Sequence, residues 1–156
     1  MRESDRPRSE RVSLLDRPPI AADLLPESEQ PRGDTGVDPG SLRLAITNGE
    51  HRLYVGTAGS DALTIVYRSA RGGGVLTSMR WVLSQIGAIV LGVSSSHGAS
   101  VTCDIVSDDV NAVEVDGIER PVLHNAFLVP GSRGTPSCRV LTDDGWRDVP
   151  PPPPLE

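Results

Sequence analysis

The stretch Ser94-Ser95-Ser96-His97 sets hydroxyls beside an imidazole, and the carboxylates Asp104 and Asp108 follow at short range. These are the parts of a nucleophilic centre, in which the imidazole takes the hydroxyl proton and a carboxylate orients the ring. The pattern around them argues for something simpler. No G-x-S-x-G elbow presents a serine on a strained turn, and adjacent serine, histidine and glycine are ordinary loop composition. A small hydrolase using a Ser/His/Asp set around His97 is therefore the alternative reading, not the leading one.

Other chemistry fares no better. His51, His97 and His124 lack the H-E-x-x-H or comparable spacing that lets imidazoles share a metal. The acids at 104, 108, 109, 114 and 116 are spaced too irregularly for a calcium loop and read as solvated charge. Gly72-Gly73-Gly74 could bring backbone N–H groups to an anion, but a phosphate loop would continue Gly-Lys-Ser or Gly-Lys-Thr, and this one continues Val75-Leu76-Thr77. Cys103 and Cys138 have no second pair and no neighbouring histidine, so they read as buried free thiols. A bridge between them stays open for a chain outside the cytoplasm. No catalytic, metal or cofactor-binding residue is expected.

Composition sets the partner classes. The net charge of −6 opposes sequence-independent attraction to phosphate backbones, so nucleic acid is not an expected partner. All 15 basic residues are arginine, a usage that codon bias explains without special guanidinium chemistry. The most apolar run, Trp81 to Val93, is shorter than the roughly 18 to 20 residues a spanning helix needs and contains Ser84 and Gln85, so no transmembrane segment is expected. The charged opening has no apolar signal region, which points to the cytoplasm if Met1 is the native start.

The elements that would position any site are short. Residues 1–40 hold six prolines, nine acids and six arginines, too polar to bury enough surface to offset ordering, so a mostly disordered arm is expected there, with "IAADLLP" the one stretch that could dock as a short helical turn. Residues 150–156 form a polyproline tail. Between them, over residues 41–149, apolar runs alternate with turn signals. "LRLAIT", Asn48-Gly49 and "RLYVG" read as a hairpin, and "ALTIVYR" as a strand. After the glycines, "LTSMRWVLSQIG" reads as one helix of about two turns, capped by Thr77 or Ser78, ended by Gly87, with Met79, Val82, Leu83 and Ile86 facing the sheet. "AIVLGV" and "VTCDIV" read as strands, Asp108-Asp109 as a break whose carboxylates hold local backbone, and Asp116-Gly117 as a two-residue turn before a longer strand, "IERPVLHNAFLV". In that strand Asn125 is expected to bond backbone. A last hairpin turns at Asp144-Gly145. The expected fold is all-β, a small sandwich or distorted barrel with one short helix.

The order of "AADLLP" at 21–26, "VDPGSLRLAIT" at 37–47, "LYVGTAG" at 53–59, "RGGGV" at 71–75, "IVSDDVNAVEVDG" and "VLHNAFLV" resembles an uncharacterised family of small β domains common in actinobacterial proteins. The resemblance spans roughly residues 18–129 and implies fold rather than chemistry. Family members often follow a single transmembrane helix, which implies an extracytoplasmic location as the alternative. They also carry cysteines flanking the Gly-rich loop, where this chain has Thr64 or Ile65 and Val75. The expected function is a noncatalytic protein-interaction or structural module, reached through a strand edge or the N-terminal arm.

Overall fold

The computed structural model describes residues 2–70, 72–94, 100–130 and 137–150. Among these residues eleven strands form three open antiparallel sheets, with one short α-helix. Sheet A is the meander β1 (Arg43–Asn48), β2 (His51–Thr57), β3 (Ala62–Ser69) and β4 (Gly72–Met79). Helix α1 (Trp81–Ile86) then leads into β5 (Ala88–Ser94) and β6 (Ser100–Val106), which with β9 (Ala126–Pro130) make sheet B in the order β5-β6-β9. Sheet C runs β11 (Gly145–Val149), β10 (Cys138–Thr142), β7 (Ala112–Val115) and β8 (Ile118–Arg120). This is a sandwich-like all-β fold; none of the sheets closes into a barrel. Among the described residues no helix is long and apolar enough to cross a membrane.

Period-two alternation makes sheet B the middle layer. Val101, Cys103 and Ile105 of β6 point into a core shared with Leu53, Val55, Leu63 and Ile65 of sheet A. Val106 of the same strand, with Val90 and Phe127 of its neighbours, points into a second core with Val113, Val115, Cys138 and Val140 of sheet C. The two cysteines therefore lie on opposite sides of sheet B, both buried and unbridged.

The structure departs from the sequence expectation most at residues 2–40. Instead of extending away, the chain winds through short 3-10 turns around both faces of sheet A. Val12 and Leu14 enter the A–B core, while Leu25 and Val37 cover Tyr54 and Val66 on the outer face. The physical reason is that Val12, Leu14 and Leu25 are placed where sheet A would otherwise expose apolar surface, and several of the charges are paired. Glu3, only 6% exposed, holds Arg80 at 2.5 Å and Arg6 at 3.0 Å and accepts the Val12 N–H.

Local differences follow from backbone sterics. In the first hairpin Asn48 pairs with His51, so the turn is Gly49-Glu50, with Gly49 at φ 60°, one residue later than expected. The three glycines are the start of β4, paired to β3, not a loop; a Cβ on Gly73 would come within 2.2 Å of the Tyr67 carbonyl, so this pairing requires glycine. Thr77 and Ser78 are held in the β3–β4 ladder and cannot cap a helix, which delays α1 to Trp81 and leaves Met79 46% exposed instead of facing the sheet. Gly87 does end the helix, in the left-handed conformation at φ 91°. The expected long strand after Asp116-Gly117 is broken: Pro121 has no N–H to continue pairing, and His124 (φ 51°) and Asn125 (φ 64°) form a tight left-handed turn before β9.

Candidate functional site

Of the nucleophilic set the sequence offers, the described members Ser94, Asp104 and Asp108 are spread along the β5–β6 hairpin and beyond it. Ser94 pairs with Ser100 at one end of the β5–β6 hairpin, whereas Ala88 pairs with Val106 at the other. Asp104 is four residues along β6 from Ser100, about 13 Å at strand rise, and Asp108 lies beyond the far end, about 20 Å or more away. Ser95, Ser96 and His97 lie outside the described residues. Of the other histidines, His51 bonds the Tyr67 hydroxyl through Nδ1 at 2.6 Å, and His124 serves its turn. No group of three or more His, Cys, Asp or Glu side chains among the described residues is placed to hold a metal ion.

Of the carboxylates that the sequence places at turns, Asp108 fastens the N-terminal segment. Asp108 accepts the Ser13 N–H at 3.1 Å through Oδ1 and the Ser13 hydroxyl through Oδ2, and its backbone N–H reaches the Arg11 carbonyl at 2.8 Å. Asn125 donates to Asp108 at 2.7 Å and to the Val106 carbonyl at 3.2 Å, and accepts the Leu14 N–H at 3.1 Å. Its expected backbone bond is present, but with a longer reach. Asp23 does the same near β1, taking two bonds from Arg17 and the N–H groups of Ile20 and Leu44. Burial alone would raise its pKa, but the Arg17 guanidinium and the two amides hold it below the ordinary carboxylate range.

Asp104 is different. Fully buried, it has Oδ1 without a hydrogen-bond partner and Oδ2 3.8 Å from the Cys138 sulfur. Burial pushes its carboxyl well above the ordinary value, and burial also pushes up both thiols, with Asp104 adding to each. The thiols are thereby kept from the reactive thiolate form.

The sheet edges carry a clearer asymmetry. Three open sheets have six edge strands among the described residues; β8 carries Glu119 and Arg120, β9 Pro130, and β11 Arg147 and Asp148, while β1 is covered by the N-terminal segment, whose Asp23 accepts the Leu44 N–H. Charge, proline and cover of this kind discourage pairing with another chain. β4 and β5, eight and seven residues long, have neither charge nor proline. Their edges come together beside α1 around a groove of about 210 Å³, lined by Leu76, Val82, Ile86, Ile89 and Val149. Met79 (46% exposed) and Trp81 (56%) adjoin the lining residues Ser78 and Val82 in sequence. Sequence reasoning missed this site because it read β4 as a loop followed by a helix. The signal available was an exposed-side tryptophan in a chain only 3% aromatic.

No known protein family, curated protein or solved structure matches the chain.

Proposed function

We propose that the chain is a noncatalytic protein-interaction module that takes up an extended apolar segment of another protein along the β4–β5 groove. The carrying observation is that the two edges bordering the groove are the two without charge or proline. A strand added to either edge would gain main-chain hydrogen bonds, while alternate side chains would reach Leu76, Ile86 and Ile89. The exposed thioether of Met79 and ring of Trp81 would supply adaptable and rigid contact surface at the rim.

Panning a random peptide library displayed on phage against the intact chain tests this reading. Enriched sequences should alternate apolar and polar residues, and their binding should fall about tenfold or more in Leu76→Glu, a variant whose melting temperature is checked alongside. Enriched peptides that bind Leu76→Glu as well as the parent, or no enrichment at all, would count against it.

A further inference from the structure

A second concavity, sharing no residue with the groove, lies where the N-terminal segment crosses the end of sheet A. Its volume is about 470 Å³, within the range of roughly 300 to 1,000 Å³ common for small-molecule sites. Arg2 and Arg6 line it from the N-terminal segment, and Arg43 and Arg80 from the sheet side. Three carboxylates, Glu3, Asp16 and Asp61, also line it, so guanidinium groups are in excess here on a chain of net charge −6.

The carboxylates are unequally available. Glu3 is committed to Arg6 and Arg80, and Asp16 accepts the backbone N–H groups of Glu3 and Ser4. Asp61 stands exposed at the rim, where water screens it.

Arg43 is the anomaly. It is 8% exposed, yet its three hydrogen bonds go to the backbone carbonyls of Arg17, Gly40 and Leu42, through Nε and Nη1. Those acceptors fix the guanidinium plane without cancelling its charge, and Nη2 makes no hydrogen bond to the described residues. Among the described residues it forms no ion pair. Burying a cation without a counter-charge is costly, and buried charges are ordinarily paired. Nearby, Nε of Arg80 is a buried donor that also lacks a partner.

We infer that this cavity binds a small oxyanion, a phosphate or carboxylate group on a compact polar molecule, with Arg43 Nη2 as its principal donor. The fork geometry of guanidinium suits both anions. Three acids line the same cavity, and beyond Arg43 only the exposed Arg2 offers a guanidinium with no ion pair among the described residues, which favours a ligand of low charge over a polyanion. The cavity exceeds the size of a lone phosphate, so the remainder of the ligand would lie against Leu15, Ser41 and Thr57.

The test titrates the full chain with inorganic phosphate and, separately, with acetate, at constant ionic strength, following amide and arginine Nε–H resonances. The expected result is saturable binding of at least one anion, in the millimolar range or tighter, with shifts centred on Arg43, Arg6 and Thr57. Which of the two anions saturates assigns the group. Affinity should fall about tenfold or more in Arg43→Gln and detectably in Arg43→Lys, which keeps the charge but not the fork, and should be unchanged in Arg139→Gln. Thermal melts establish that each variant is folded, and Arg43→Lys serves if Arg43→Gln is not. Shifts that grow linearly without saturation for both anions, or equal affinity in a folded Arg43 variant, would overturn the assignment.

Discussion

Replacing Asp104 by asparagine gives a direct physical measure of the core between sheets B and C. The carboxyl is fully buried between its cross-strand neighbours Val90 and Phe127, and burial raises its pKa well above 3.8. At low pH, below the unfolded-state value, folded and unfolded chains both hold the proton and the full stability is present. As pH rises above that value the unfolded chain releases its proton while the folded chain retains it, so stability is lost. The slope is about 1.4 kcal/mol per pH unit until the folded-state group itself ionises. Asp104→Asn preserves the shape and removes the titration; the partnerless amide adds an offset that does not vary with pH. Urea unfolding of both proteins at successive pH values rising from about 4 should show the difference moving in favour of asparagine, at up to about 1.4 kcal/mol per pH unit, until the folded-state carboxyl ionises and the difference levels off. Contributions from Asp23 and Glu29, whose pKa values are lowered, run the other way and cancel in the comparison. Parallel stability curves for the two proteins would refute the reasoning.

Two further outcomes follow from the same packing. Glu3→Gln leaves the 4%-exposed Arg80 side chain without its counter-charge and should lower unfolding free energy by about 3 kcal/mol; a loss under about 1 kcal/mol in urea titration would mean that the pair is not buried in solution. Cys103 and Cys138, separated by sheet B, should form no intramolecular bridge when the folded protein is treated with a mild oxidant, so denaturing mass spectrometry should find both thiols available to alkylation.

Turn chemistry was the most legible part of the sequence. Asp116-Gly117 forms the two-residue turn between paired Val115 and Ile118, because left-handed backbone is a local demand that few residues meet, whereas the last hairpin turns at Asp143-Asp144 between paired Thr142 and Gly145, one residue earlier than expected. Helix phase was less legible. Gly87 marked the end of α1 correctly, but its start depended on the long-range pairing of Leu63 with Ser78, which local composition does not encode. The N-terminal segment was hardest to read, since its proline and charge content matches that of unfolded chains, while its order rests on partners such as Asp108 and Asn125 nearly a hundred residues or more away. The candidate groove was hidden for the same reason: it exists only once β4 and β5 become neighbouring edges.

The central structural claim is that residues 2–40 complete sheet A rather than trail from it. Hydrogen exchange at the backbone amides of Val12, Ser13 and Leu14 examines it most directly, because each donates to a distant side chain: Glu3, Asp108 and Asn125 respectively. Protection of roughly a hundredfold or more over an unstructured peptide is predicted, approaching that of β2. Exchange of these three amides at unstructured-chain rates, while β2 stays protected, would contradict the account.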